Sequence, residues 1–285
     1  MRGHPSAPRL PRRFWTAKGR LTPQKGFVVK KLLVVLMFLT PSMLFAQNAF
    51  NGTWRFDMQS GQIGGKPFIQ SLHHGMYHCN CVPEITTQAD GKDHERKGSP
   101  YSDTINIREI DDHTIEVVTK KDGKTVSRSK DTASEDGSTL KTEWTAWENG
   151  HETNGAHISK RVAPAPAGAN KTSGSWQFEK VESASDNMTA VTFSATPERL
   201  SMTVGLGDSY TAKFDGKDYP YNGDPGTTSV SLRRIDDHTI EQTDKRDGKI
   251  TSVRRMTVSS DGKTLTLDVE DKQDGTTAKW TAHKE

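Results

Sequence analysis

The heptapeptide Ile-Asp-Asp-His-Thr-Ile-Glu occurs twice, at residues 110–116 and 235–241, and marks the centre of a duplication that constrains the fold more than any other feature. At a constant offset of 125 residues, Asp90-Gly91-Lys92-Asp93 matches Asp215-Gly216-Lys217-Asp218, and Asp122-Gly123-Lys124 matches Asp247-Gly248-Lys249. Gly98-x-Pro100 matches Gly223-x-Pro225, and Asp136-Gly137-x-Thr139-Leu140 matches Asp261-Gly262-x-Thr264-Leu265. Gly52-Thr53-Trp54-Arg55-Phe56 matches Gly174-Ser175-Trp176-Gln177-Phe178 at an offset of 122, so three residues were gained or lost in between. A long self-match at fixed spacing means that one supersecondary plan is built twice. The chain of 285 residues also suits two modest domains at ~100–200 residues each. The expected division is a first repeat over 47–162, a Pro/Ala linker over 163–173 and a second repeat over 174–285. The linker, Ala163-Pro164-Ala165-Pro166-Ala167-Gly168-Ala169-Asn170 and the three residues after it, is semi-extended by composition and poor in core formers.

Within each repeat the hydrophobic period is two, as in Leu265-Thr266-Leu267-Asp268-Val269-Glu270 and Val230-Ser231-Leu232-Arg233. Alternation of that kind belongs to half-buried strands. Asp-Gly pairs begin at Asp90, Asp122, Asp136, Asp215, Asp247, Asp261 and Asp274, and Asn149-Gly150 joins them. Such pairs tolerate the positive φ angles of tight hairpins. No helical stripe with caps interrupts them. The expectation is an all-β chain of two tandem antiparallel meander β-barrels with eight to nine strands each, closed or strongly bent so that their edges are hidden.

Ala49-Phe50-Asn51-Gly52-Thr53-Trp54 resembles the opening strand of the lipocalin and fatty-acid-binding families, and Gly174-x-Trp176 repeats it. The resemblance implies a lipocalin-like (calycin-type) barrel whose indole lies across the closed end. It also implies a basic residue of the last strand stacked on that Trp, for which Arg161 and Lys284 are the candidates. The paired units resemble uncharacterised secreted bacterial two-repeat proteins too. Their Cys-x-x-Cys before a Pro is replaced in this chain by the shorter Cys79-Asn80-Cys81-Val82-Pro83.

Residues 1–46 contain nine Lys or Arg and no acidic residue, and Lys30-Lys31 precede an apolar run over 32–39 that Thr40 and Pro41 end. That run is shorter than the ~20 residues of a membrane span, and Ala46 suits cleavage before Gln47. Residues 1–46 therefore read as an N-terminal extension and signal peptide, with no membrane span after cleavage and a periplasmic or extracellular destination. The formal net charge of +3 belongs to this segment, since the remainder holds 30 basic against 36 acidic residues, a balance of −6. Nothing in that balance favours nucleic acid as a partner.

The repeated Asp-Asp-His lies between two strand-like runs in each copy, and reads as a hairpin loop rather than a metal or acid/base site. The cluster His73, His74, His78, Cys79 and Cys81 has no counterpart in the second repeat. In an oxidising compartment Cys79 and Cys81 can form an intrachain or intermolecular disulfide, although a regular strand would hold their Cα atoms ~6.5–7 Å apart and a local turn is needed to join them. As thiolates beside the three imidazoles they would suit Zn or Cu, or they remain unbonded. Trp144 and Trp147 should face opposite sides of one strand, and Arg128 and Arg254, if turned inward, would suit an anionic head group. No Gly-x-Ser-x-Gly, His-Glu-x-x-His or phosphate loop is present. The expected function is that of an exported non-enzymatic protein of two lipocalin-like units able to bind a small apolar or amphipathic ligand. The alternatives are an envelope or extracellular interaction module with filled barrels, and a metal or redox protein using the His/Cys cluster.

Overall fold

A computed structural model of the chain describes residues 48–285. The signal-peptide reading of residues 1–46 lies outside the described residues. The first repeat carries β1 (Gly52–Gly64), β2 (Phe68–His73), β3 (Met76–Cys79), β4 (Ile85–Gln88), β5 (His94–Glu95), β6 (Thr104–Asp111), β7 (Thr114–Lys121), β8 (Lys124–Ala133), β9 (Thr139–Glu148) and β10 (His151–Ala163). The second carries β11 (Gly174–Ala184), β12 (Ala190–Ala195), β13 (Arg199–Val204), β14 (Ser209–Lys213), β15 (Asp215–Asn222), β16 (Ser229–Arg234), β17 (Thr239–Arg246), β18 (Lys249–Val258), β19 (Thr264–Asp271) and β20 (Thr277–Lys284). Each repeat thus contributes ten strands rather than eight or nine. The excess comes from short pieces such as β3, β4 and β5, which span four, four and two residues and are too brief to show a period.

Period-two burial holds the strands in register. Ile105 and Ile107 face inward between half-exposed neighbours on β6, as Val230 and Leu232 do on β16. Outward positions form charged ladders: Arg108 meets Glu116 at 2.8 Å, and the equivalent Arg233 meets Glu241 at 2.7 Å. Three of the expected hairpins have positive φ at both turn residues, Asp122-Gly123, Asn149-Gly150 and Asp247-Gly248, the geometry that matches strand twist. The Asp-Asp-His loops are turns as well. Asp111 Oδ1 accepts from His113 N at 2.9 Å, and Asp236 Oδ1 accepts from His238 N at 2.8 Å.

The barrels do not follow the repeats along the chain. The second barrel closes in the order β1-β12-β13-β14-β15-β16-β17-β18-β19-β20, so its closing strand comes from the first repeat. The other sheet runs β4-β3-β2-β11-β10-β9-β8-β7-β6-β5, and takes in the opening strand of the second repeat. Its remaining gap is bridged where Asp90 pairs Arg108, the counterpart of Asp215 pairing Arg233. The two opening strands have changed places. Past their paired halves they run side by side and clasp: Gln59 Nε2 donates to Val181 O at 3.0 Å, and Gln177 Nε2 donates to Ile63 O at 3.3 Å.

The exchange crosses the Trp partnerships. Arg161 of the first repeat stacks on Trp176 at 4.1 Å, and Lys284 of the second lies over Trp54 at 5.1 Å. Both indoles are buried and donate to the carbonyl four residues earlier, Trp54 to Phe50 O at 2.8 Å and Trp176 to Thr172 O at 2.9 Å. Gly52 and Gly174 have φ of +120° and +141°, and a Cβ at either would collide with Lys284 or Arg161. The Gly of each Gly-x-Trp therefore makes room for the cation. Arg161 also donates to Gly137 O, Ser173 O and Lys171 O. The linker ahead of Trp176 is held down: Asn170 is buried, its Nδ2 donates to Asp111 O at 2.8 Å, and Lys171 N donates to Asp112 O at 2.7 Å. The repeated heptapeptide of the first barrel thus receives the linker.

Candidate functional site

The interiors of the two barrels differ. The second is packed by one continuous group of sixteen buried residues from Phe50 and Trp54 to Ala282. The first has two separate groups, seven residues around Ile105, Ile107 and Ile115, and three around Trp176. A cavity of about 420 Å3 lies in the first barrel, with Tyr77, Ile105, Val117, Asp131, His157 and Trp176 among its walls. Ile63, Gly64 and Lys66 from the exchanged strand and its exit, with Thr276 from the β19–β20 turn, line it as well.

Strand register explains the difference. In the second barrel Tyr210 Oη donates to Gln242 Oε1 at 2.6 Å, Gln242 Nε2 to Asp244 Oδ1 at 2.7 Å, and Ser252 Oγ to Asp244 Oδ2 at 2.7 Å. Arg254 Nε sits 2.6 Å from Asp244 Oδ2, an ion contact off the N–H line. Tyr221 stacks against Tyr210 with ring centroids 5.8 Å apart. At 125 residues' offset the first barrel has Ile85 for Tyr210, Val117 for Gln242, Thr119 for Asp244, Ser129 for Arg254 and Arg96 for Tyr221. Apart from Arg96, small or apolar side chains therefore stand where the second barrel fills its own lumen.

The first barrel has a polar chain of its own at another level. Tyr77 Oη donates to Gln70 Oε1 at 3.0 Å, Gln70 Nε2 to Asp131 Oδ2 at 3.2 Å, and Thr142 Oγ1 to Asp131 Oδ1 at 2.7 Å. Gln70 Nε2 also donates to Thr172 O, the carbonyl that accepts from Trp176, which places the chain beside that indole. The strand registers put Phe193, Leu200, Met256 and Leu267 at these places in the second barrel. Burial raises the Asp131 carboxyl above its ordinary range despite the bonds from Thr142 and Gln70, and burial lowers the His157 imidazole. Arg96 also lines the cavity. Its Nη1 donates to Ser102 Oγ at 3.0 Å, while its Nε is buried with no partner among the described residues.

Of the residues singled out from sequence, Trp176 lines this cavity with Arg161 on its far face, whereas Trp54 and Lys284 belong to the filled barrel. Cys79 and Cys81 are bonded to each other where the chain leaves β3, with their Cα atoms 5.3 Å apart. Cys79 packs in the core, and Cys81 reaches the cavity wall. His73 and His74 stack with ring centroids 3.8 Å apart, and His78 Nδ1 lies 3.1 Å from Thr86 Oγ1. Among the described residues no three His, Cys, Asp or Glu side chains converge as a metal site. Arg254 faces inward, but Arg128 faces outward beside Glu116 at 3.6 Å, because Arg254 aligns with Ser129 and one residue reverses the face. Trp147 is exposed and donates to Glu152, while Trp144 covers Gly155.

Arg96, Asp131 and His157 escaped the sequence reading. The signal for Asp131 was its place in the inward set Ser127, Ser129, Asp131 and Ala133, where the second repeat has Ser252, Arg254, Met256 and Val258. Copies that differ at inward positions enclose different interiors. No protein-family model matches the chain, and no curated protein does either.

A larger groove of about 840 Å3 runs along the outside of the second barrel, bounded by Gly61, Ile63, Phe178, Glu241, Arg255 and Lys279. Its charges are mostly paired, Arg255 with Glu241 at 3.2 Å and Lys279 with Asp268 at 3.4 Å. The lumen of the first barrel is smaller and half-open, and it holds the unpartnered donor Arg96 Nε.

Proposed function

We propose that this is an exported, non-enzymatic carrier of two lipocalin-like units that holds a small apolar or amphipathic ligand in its first barrel. The observation that carries this reading is the cavity of about 420 Å3 in one barrel beside a filled lumen in the other. Ligand pockets commonly range over ~300–1,000 Å3 and combine apolar walls with a few convergent polar groups, as Ile105, Val117 and Trp176 combine with Arg96 and His157. The second unit acts as scaffold, since its Arg254–Asp244 pair occupies the corresponding space.

Native mass spectrometry of the protein from its own host should find one small molecule per chain. The double variant Thr119→Asp/Ser129→Arg, which transplants the filling pair into the first barrel, should carry none. No adduct on the wild type, together with an empty solvent extract, would sink the carrier reading. The groove of about 840 Å3 then favours the interaction module, to be sought by crosslinking in the envelope fraction.

A further inference from the structure

We propose that the ligand of the first barrel is an organic anion, a carboxylate-bearing amphiphile whose head group pairs with Arg96 and takes the place that Asp244 holds in the second barrel. The inference deepens the carrier reading and rests on it. It comes from comparing the two lumens position by position. The second barrel contains a half-buried guanidinium, Arg254, and answers it internally with the buried Asp244, whose other contacts come from Gln242 and Ser252. The first barrel also directs a guanidinium to its cavity, that of Arg96, at the position of Tyr221. Tyr221 lies within the influence of both Arg254 and Asp244, so this position borders the charged level of the lumen. Where Asp244 would stand, however, the first barrel has Thr119.

Among the described residues no carboxylate comes within 4.0 Å of Arg96, and Ser102 Oγ is the acceptor its guanidinium has. A buried or half-buried Arg is normally paired, because removing it from water is costly without a counter-charge. Asp131 shares the cavity but does not answer Arg96. Its two oxygens are engaged by Gln70 and Thr142 beside Trp176, and burial favours its neutral form there. His157 faces the same space, with its neutral form favoured by burial, and exposed Lys66 adds a second positive charge at the rim. Arg96 acts on the Tyr77 hydroxyl of that network but makes no ion pair with Asp131, and Ile105, Val117, Phe178 and Trp176 offer an apolar body its contacts. A planar carboxylate matches the guanidinium fork.

The test uses three probes of one shape on the mature chain: 4-butylbenzoate, 4-butylbenzyl alcohol and 4-butylbenzylammonium, titrated calorimetrically at pH 7. The benzoate should bind roughly tenfold to a hundredfold more tightly than the alcohol, the range expected of a charge-assisted hydrogen bond, and the ammonium most weakly. Arg96→Gln should make benzoate and alcohol equal, and Arg96→Lys should restore part of the preference. Thr119→Asp, which supplies the charge from the protein as the second barrel does, should abolish benzoate binding while leaving the alcohol. Equal binding of benzoate and alcohol by the wild type, or a preference that survives Arg96→Gln in a variant that Arg96→Lys shows to fold, overturns the inference and leaves the carrier reading intact. Failure of all three probes to bind overturns both.

Discussion

The two barrels contain nearly the same polar chain at different heights. In the first it is Tyr77, Gln70, Asp131 and Thr142 near the indole. In the second it is Tyr210, Gln242, Asp244 and Ser252 higher up, where Arg254 joins it. The side-chain amides and carboxylates of each chain find partners internally, as buried polar groups usually do, while Arg254 Nε meets Asp244 only as an ion contact. They differ in what surrounds them. With the network and its cation in mid-lumen, the second barrel is filled, and Phe193, Leu200, Met256 and Leu267 pack its floor. With the network on the floor, the first barrel keeps Thr119 and Ser129 in mid-lumen, and a cavity opens above. A duplicated fold can thus specialise through a few inward positions while its outer ladders and turns stay alike.

The largest effects should come from the exchanged strands. Trp54→Ala and Trp176→Ala should each cost about 3–5 kcal/mol of stability, as truncation of a buried indole does. Hydrogen exchange separates their consequences. Trp54→Ala should deprotect residues 190–284 and spare 104–148, although Trp54 lies in the first repeat; deprotection of 104–148 instead would refute the exchange of opening strands.

Next come the residues that fill the second lumen. Asp244→Thr gives that barrel the residue of the first and leaves the partly exposed Arg254 without its counter-charge, a loss of about 1–3 kcal/mol once solvent screening is allowed for. Adding Arg254→Ser should recover much of that stability and open a second cavity, read as a rise from one to two bound probe molecules per chain. Stoichiometry that stays at one would mean that the lumen collapses, and that these two positions do not set the contrast between barrels.

The smallest effect separates the floors. Burial raises the Asp131 carboxyl in the folded chain, so the native state binds its proton more tightly than the unfolded state does. Stability from this group is present at low pH and falls as pH rises from the ordinary value of about 3.9 through the raised one. Asp131→Asn should therefore melt higher than the wild type at pH 8, with the gap closing towards pH 4. An equal gap at both pH values would show that the side chain acts through packing alone.

Much of the architecture was legible because it rests on local rules. Asp122-Gly123 and Asp247-Gly248 dictate tight hairpins, and alternation such as Val230 and Leu232 dictates which face is buried. The Gly-x-Trp strands and their cations Arg161 and Lys284 were readable as stacking partners, as was a Cys79–Cys81 bridge as one of several options. The candidate site was less legible. Arg96 follows a strand of two residues, and Asp131 looked like any other charge in Lys130-Asp131-Thr132. Its inward direction becomes apparent only once the register of β8 against β9 is known.

The sequence by itself determined that the chain is all-β, built twice and punctuated by the same turns, since propensity and period act over a few residues. Only the tertiary structure decided which Gly-x-Trp strand completes which barrel. The opening strands of the repeats carry the same glycine, the same indole and equivalent pairing edges, so either can fill either place with the same local bonds. The choice lies in how β1 leaves through Gly65-Lys66-Pro67 and how the linker over 163–173 returns β11 beside β10. That choice places Ile63, Gly64 and Lys66 against the cavity of the other barrel, a contact no local rule could foretell.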